Sequence, residues 1–138
     1  MPILTKEEDI KEALLDCRTI AVVGISPIPY KPSYFVAEVL KDRGFKICLV
    51  NPNYAGQKIL GEKVYSCLED IPEEIDIIDV FRHPSAVPAL AEEARRKGFK
   101  VFWMQPGTES PETIKQLDKD GYNVVAGRCA KIESTRLL

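Results

Sequence analysis

The stretch from Val22 to Ser33, VVGISPIPYKPS, holds residue types that bind phosphate. It continues an apolar run and brings together a glycine, Gly24, a hydroxyl, Ser26, and a cation, Lys31. A glycine lets a ligand approach the backbone closely, and the start of a helix attracts anions. The stretch therefore predicts a phosphate-holding loop. The alternative is a plain strand-to-helix turn that glycine and proline merely shape.

This stretch is a poor fit to classical NAD binding. The GxGxxG motif would need glycine at positions 26 and 29, where the chain has Ser26 and Pro29. The next apolar run ends at Asn51-Pro52, where a carboxylate for the ribose 2′-hydroxyl is expected. A flavodoxin-type FMN loop would be rich in Ser and Thr, whereas this loop is rich in proline. The pattern argues against NAD and FMN as ligands, but it does not argue against a loop that holds phosphate.

Two later stretches carry further chemistry at the ends of apolar runs. Arg82 could pair with a phosphate in forked geometry, and Phe81 and Val87 could line a flat slot for a base. In the alternative interpretation, Arg82 is a solvated surface charge and Val87 belongs to a helix core. Gln105 and Gly107 follow another apolar run. If these runs are parallel strands, the residues after them meet at one crevice.

Five short apolar runs, rich in Val and Ile, must position these residues. Their apolar residues are mostly successive, which is typical of strands buried on both faces of a parallel sheet. The predicted strands are Thr19–Gly24, Phe45–Val50, Ile75–Phe81, Lys100–Met104 and Asn123–Ala126. Helix-like segments between most of them predict an open, doubly wound α/β sheet with right-handed crossovers. The 138 residues fit a single domain, 1–138, without repeats or linkers.

Capping signals predict where the helices begin and end. Thr5 and Glu8 form a capping box for a first helix over residues 6–16, and Ser110-Pro111 starts a helix that ends at Gly121. The other predicted helices run from Pro32-Ser33 to Gly44, from Pro84 to Gly98 and over the tail from Arg128 to Leu138. The segment 52–72 breaks the alternation. It is expected to be a loop with a short hairpin-like piece and one helical turn near Leu68.

The composition argues against several classes of partner. The net charge is −2 and Lys and Arg form no long block, so no nucleic-acid partner is expected. Apolar runs are far shorter than 18 residues and the first residues lack a signal pattern, so we expect a soluble, cytoplasmic protein without a membrane segment. The four cysteines form no CxxC pair and His83 is the single histidine, so no metal site is expected. We interpret His83 as a helix-start residue.

The strand-end motifs, taken in order, resemble those of a known family. They are Gly24-Ile-Ser-Pro, Val50-Asn-Pro, Gly61 with Tyr65, Ile71-Pro72, Asp79-Val-Phe81 and Gly127-Arg-Cys129. In this combination the chain resembles the single-domain coenzyme A-binding proteins. These are similar to the CoA-binding Rossmann domain of the succinyl-CoA synthetase α subunit and of ADP-forming acyl-CoA synthetases. The resemblance covers nearly the whole chain. It implies a Rossmann-like, doubly wound, five-stranded parallel sheet in three α/β/α layers.

The resemblance also implies a ligand and a role for each strand-end residue. The 3′-phospho-ADP of coenzyme A would lie across the carboxyl ends of the strands, and the pantetheine arm would reach toward the last loops. The phosphates would be met by Gly24, Ile25 and Ser26, with Lys31 adding positive charge. The nucleotide would be bordered by Asn51 and Pro52 and flanked by Phe81, Arg82 and Val87. The pantetheine would lie near Gln105 and Gly107, and its thiol near Cys129.

The predicted function is binding rather than catalysis. The related ligases use an ATP-grasp region and a phosphohistidine domain, for which this chain has no room. We find no Ser-His-Asp set and no defensible carboxylate pair; Asp79, on a strand, is expected only to close a local hydrogen bond. The expected ligand is CoA or acyl-CoA, and the expected role is a sensor or carrier. The alternatives are an enzyme that uses NAD(P) or an acyl-CoA, and a detached subunit of a larger acyl-CoA ligase. A protein partner or a homo-oligomer stays open.

Cys129 sharpens the sensor hypothesis. A thiol beside Arg128 and near a helix amino end could have a lowered pKa. Under oxidation it could form a mixed disulfide with CoA. The alternative is that Cys129 is simply a small packed residue.

Overall fold

A seven-stranded sheet forms the centre of the computed structural model, which describes residues 3–138. The strands are β1 (Thr19–Val23), β2 (Lys46–Val50), β3 (Lys58–Ile59), β4 (Glu62–Tyr65), β5 (Ile77–Val80), β6 (Val101–Met104) and β7 (Asn123–Ala126). Their order in space is β3-β4-β2-β1-β5-β6-β7, and all neighbours pair in parallel except β3 with β4. The doubly wound sheet and all five predicted strands are confirmed, each within two residues of its predicted bounds.

The predicted count of five strands is wrong, because the segment 52–72 contributes two more. The alternating stretch Lys63–Tyr65 lies in β4, which pairs in parallel with β2. β3 turns back onto β4 through Leu60 and Gly61, whose φ angles are 55° and 75°. Two positive φ angles in a two-residue loop are typical of a type I′ hairpin turn. The hairpin thus extends one edge of the predicted parallel sheet, and the expected helical turn is present as a 3₁₀ helix at Leu68–Asp70.

Five α-helices cover the two faces of the sheet. They are α1 (Glu7–Asp16), α2 (Pro32–Asp42), α3 (Val87–Lys97), α4 (Pro111–Lys119) and α5 (Ala130–Leu137). Side chains of α1, α2 and α5 pack in one hydrophobic core with Trp103, and those of α3 and α4 pack in the other with Phe102. The predicted three-layer α/β/α arrangement is therefore confirmed. Among residues 3–138, no helix combines the length and the apolar character that crossing a bilayer requires.

Three helix starts differ from prediction. The capping box is wrong: α1 begins at Glu7 after an extended Lys6, so Thr5 lies outside the helix and caps nothing. Instead, three acidic side chains in its first turn stabilise the helix by interacting favourably with its dipole. Pro84 starts a 3₁₀ turn, and α3 follows only from Val87. The last helix begins at Ala130 because Cys129 is still extended. In contrast, Ser110 caps α4 as predicted, accepting from the Thr113 amide.

Candidate functional site

The carboxyl ends of β1 and β5 form the place where the strand order reverses. β1 leads to β2 on one side, and the chain later returns to β1's other side as β5. Gly24 follows β1 with a φ of +97°, and a Cβ there would lie 2.3 Å from the carbonyl oxygen of Phe81. Because no side chain fits between these two backbones, glycine is required at the switch point. In an open α/β sheet this is where ligands bind.

A cleft of about 660 Å³ opens at this edge of the sheet. Eight of the twelve predicted site residues line it: Gly24, Ser26, Lys31, Phe81, Arg82, Gln105, Gly107 and Cys129. The sequence did not point to Phe35 and Val36, which add apolar surface from α2. Their place near the amino end of α2, directly after the glycine loop, could have suggested that this end of the helix lies beside the strand ends.

The other four predicted residues do not line this cleft. Ile25 and Val87 are fully buried in the hydrophobic cores, so Val87 fits the helix-core alternative rather than the base slot. Asn51 holds the backbone in place, donating through Nδ2 to the Ile25 carbonyl at 2.8 Å. Pro52 borders a smaller adjacent hollow of about 280 Å³. Arg82 lines both hollows and stands between them.

The amides of the glycine loop are already hydrogen-bonded within the chain. Those of Gly24 and Ile25 donate to the Val50 carbonyl, and that of Ser26 donates to the Ser33 hydroxyl at 2.9 Å. The Ser26 hydroxyl oxygen accepts from the Ile28 amide, which leaves its O–H free to donate. The loop therefore offers an anion a hydroxyl and a nearby ammonium rather than a row of free backbone amides.

Two cations at the cleft lack an acidic partner within residues 3–138. Lys31 is the N-cap of α2 and Arg82 follows β5, and the side chains of both form no ion pair or hydrogen bond there. The Lys31 ammonium lies 5.8 Å from the centre of the exposed Tyr30 ring. His83 caps the 3₁₀ turn, since its Nδ1 accepts from the Ser85 amide at 3.1 Å. The predicted helix-start role of His83 is confirmed, and the positive charge of the cleft comes from Lys31 and Arg82.

A buried carboxyl lies beneath the cleft. Asp79, in the middle of β5, is fully buried, and its Oδ1 accepts from Gln105 Nε2 at 2.5 Å. Burial raises the pKa of Asp79 to about 7, and the Gln105 hydrogen bond opposes that rise. The predicted local hydrogen bond is present. A sign in the sequence that Asp79 has a further role is its position as an acid inside the apolar run IDIIDVF.

Arg128 is held by groups other than the cysteine thiol. Its guanidinium contacts Glu133 at 3.0 Å and the Thr5 carbonyl at 2.8 Å, and its own carbonyl accepts from Trp103 Nε1 at 2.7 Å. Cys129 is half-buried, lines the cleft and precedes α5. The cation that was expected to activate this thiol is engaged elsewhere. Across residues 3–138, no group of three or more His, Cys, Asp or Glu side chains is placed to hold a metal.

A family model described as a CoA-binding domain matches residues 18–135. The chain belongs to the CoA-binding domain family. The uncharacterized protein YneT of Bacillus subtilis is 37% identical over 124 residues, 90% of each chain. A solved Thermus thermophilus structure, cell-free ID.343, matches with a TM-score of 0.93 and 34% identity, over 97% of this chain and 100% of that one. The predicted family is thus confirmed.

This CoA-binding domain is also related to larger enzymes. The ADP-forming acetate–CoA ligase of Methanocaldococcus jannaschii is 32% identical over 129 residues. The match covers 87% of this chain but only 18% of the ligase. The chain thus corresponds to one part of such a ligase, which agrees with the resemblance seen in its strand-end motifs.

Proposed function

We propose that the chain binds coenzyme A, or an acyl-CoA, in the cleft at the carboxyl ends of β1, β5 and β6, and that it does so without catalysing a reaction of its own. The observation that carries this proposal is that Lys31 and Arg82, two cations without an acidic partner among residues 3–138, line an otherwise largely apolar cleft at the switch point of a CoA-binding domain. The related ligases support the ligand class.

The chemistry of the cleft matches the parts of this ligand. CoA carries about four negative charges on its diphosphate and 3′-phosphate, and charge-assisted hydrogen bonds to phosphate are among the strongest available. Arg82 can reach two hollows, one lined by Phe81 and the other bordered by Pro52. Phosphates beside Arg82 would leave the larger cleft, toward Gln105 and Cys129, for the uncharged pantetheine arm.

NAD is disfavoured by the way Asn51 is used. A carboxylate after β2 would accept from the ribose hydroxyl in an NAD site. Here Asn51 Nδ2 donates to the Ile25 carbonyl, and its Oδ1 accepts from the Asn53 amide at 3.0 Å. Both ends of the amide therefore hold the loops together, and position 51 offers a ribose no carboxylate.

Calorimetric titration with CoA, acetyl-CoA, NAD and NADP tests the proposal. We expect CoA to bind more tightly than either dinucleotide, and Arg82→Ala to weaken CoA binding by about tenfold or more, because a charge-assisted hydrogen bond to phosphate is lost. Arg43→Ala, which removes another exposed cation after α2, serves as the matched control and should leave CoA affinity unchanged. Tighter binding of NAD than of CoA would overturn the assignment.

The sensor hypothesis needs a separate test because the thiol lacks its expected activating cation. Treatment with diamide and CoA, followed by intact-protein mass spectrometry, reports whether Cys129 becomes disulfide-linked to CoA. A mass increase that Cys129→Ser abolishes would support a redox role. An unmodified Cys129 at saturating CoA would rule out the redox role, and reversible binding of CoA would be the only proposed function left.

A further inference from the structure

The carboxyl of Asp79 is only half satisfied by its surroundings. Its neighbours in register are Val22 on β1 and Trp103 on β6, both fully buried and uncharged. Oδ1 accepts from Gln105, whereas Oδ2 is buried with no hydrogen-bond partner among residues 3–138. A buried polar atom without a partner costs free energy. Such a cost beneath a binding cleft points to a role in the cleft.

Gln105 connects this carboxyl to the cleft. Its Nε2 donates downward to Asp79, and the side chain lines the cleft above. Its Oε1 accepts no hydrogen bond within residues 3–138, yet it is not one of the buried atoms that lack a partner. Oε1 is therefore open to the cleft. An ionised carboxylate can only accept, so this is the one amide orientation that lets Gln105 bond to an ionised Asp79.

We propose that Asp79 is a positioning residue that fixes which end of the Gln105 amide faces the ligand. By accepting from Nε2, it holds the amide so that Oε1 presents an acceptor to an amide N–H of the ligand's pantetheine arm. This inference rests on the proposed binding of CoA, whose arm carries two amide groups. A protonated Asp79 can itself donate, so Gln105 can then turn over and present its NH₂ instead.

Both states of Asp79 are accessible near neutral pH. Burial raises the pKa of Asp79 to about 7, and no charged side chain of the described residues contributes to that shift. The ionisable groups that line the cleft make no hydrogen bond to Asp79; they are Lys31, Arg82, His83 and Cys129. The proton on Asp79 is therefore controlled by burial and by Gln105.

A double-mutant cycle on CoA affinity tests the ligand contact. Asp79→Val removes the acceptor and Gln105→Leu removes the amide, and each should weaken CoA binding about three- to tenfold. Because both changes break one linked contact, the double variant should bind no more weakly than Gln105→Leu alone. Ile77→Val, another buried change in β5, controls for general effects of the core on affinity. Additive losses, or an Asp79→Val variant with unchanged affinity, would overturn the proposal.

The side-chain amide protons of Gln105, followed by NMR in the ligand-free protein, test the positioning step without CoA. In the wild type they should shift as the pH passes about 7 and exchange slowly with water. In Asp79→Asn the shift with pH should vanish, because the residue at position 79 no longer titrates. Gln105 protons that ignore both the pH and the substitution would refute the positioning role. Intact NMR behaviour in a protein that fails to bind CoA would instead refute the proposed function and the ligand contact, while supporting the hold of Asp79 on Gln105.

Discussion

Gly24 shows how a single residue shapes the cleft. A Cβ at this position would lie 2.3 Å from the Phe81 carbonyl oxygen, and the φ of +97° is one that other residues rarely adopt. The glycine therefore does two things: it permits the turn after β1, and it permits contact between the ends of β1 and β5. Only the first of these could be inferred from the sequence.

Replacing Gly24 by Ala separates the two effects. We expect Gly24→Ala to lower the free energy of unfolding by about 3 kcal/mol or more, since a backbone clash adds to the strain of the positive φ. Gly44→Ala is the matched control: its φ is +96°, but no atom of residues 3–138 lies within 4 Å of the added Cβ. It should cost only about 1 kcal/mol. Chemical denaturation measures both, and equal losses would show that the close approach to Phe81 is unimportant.

Asp79 should make stability fall as the pH rises. Its pKa is raised from 3.8 to about 7, so the folded protein holds the proton more tightly than the unfolded chain does. The stability of the neutral form is fully present below about pH 4 and is lost progressively up to about pH 7. Asp79→Asn cannot ionise, so its stability advantage over the wild type should grow through this window, by at most about 1.4 kcal/mol per pH unit, and level off above it.

Asp76→Asn provides a control of opposite sign. Burial alone would raise the pKa of Asp76, but hydrogen bonds from the amides of Arg18 and Thr19 hold it below 3.8. Its stabilising effect is therefore present above about pH 4 and is lost as the pH falls. Denaturation curves at pH 5, 6, 7 and 8 should show Asp76→Asn less stable than the wild type throughout. A difference between Asp79→Asn and the wild type that does not change with pH would contradict the raised pKa of Asp79.

At the scale of elements, sequence patterns over a few residues predicted the strands and the helix start that interactions over a few residues determine. Runs of apolar residues predicted the five core strands, and Ser110 predicted the start of α4, because burial and capping act within a few residues. The capping box at Thr5 failed because α1 begins after Lys6, and the Thr5 carbonyl accepts from the distant Arg128 instead. The hairpin was recognised, but its pairing with β2 depends on a sheet edge that the local sequence does not contain.

The candidate site was also predictable only in part. The ends of the strands identified Lys31, Arg82 and Gln105, because the topology of a parallel sheet brings its carboxyl ends together. Partner choice within the site could not be predicted. The Ser26 amide donates to Ser33 and the Arg128 guanidinium to Glu133, through contacts that form only when each loop packs against the helix that follows it. It was thus easier to predict which residues lie near the site than to predict which of their hydrogen-bond donors remain free.

Across the whole molecule, the two ends of the chain hold each other against the last strand. The segment before α1 adds a parallel bridge at Ile3 to Val124 of β7, and the Leu4 amide donates to the Val124 carbonyl at 2.8 Å. Glu133 of α5 joins this arrangement from the other end, because its nearly buried carboxylate accepts from Arg128 and Arg136 at 3.0 Å each. Arg136 also contacts Glu7 in α1. The same contacts position the loop that carries Cys129 into the cleft.

Removing the Glu133 carboxylate should therefore loosen both chain ends together. We expect Glu133→Ala to lower the free energy of unfolding by about 1–3 kcal/mol, less than a fully buried pair would lose because both arginines are partly exposed. Hydrogen exchange at the Leu4 amide should also become faster. Glu69→Ala removes an exposed ion pair with Arg96 and should change stability by no more than about 0.5 kcal/mol, with no effect on Leu4. Similar losses in the two variants, or an unchanged Leu4 amide in Glu133→Ala, would show that the ends are held by the backbone pairing alone.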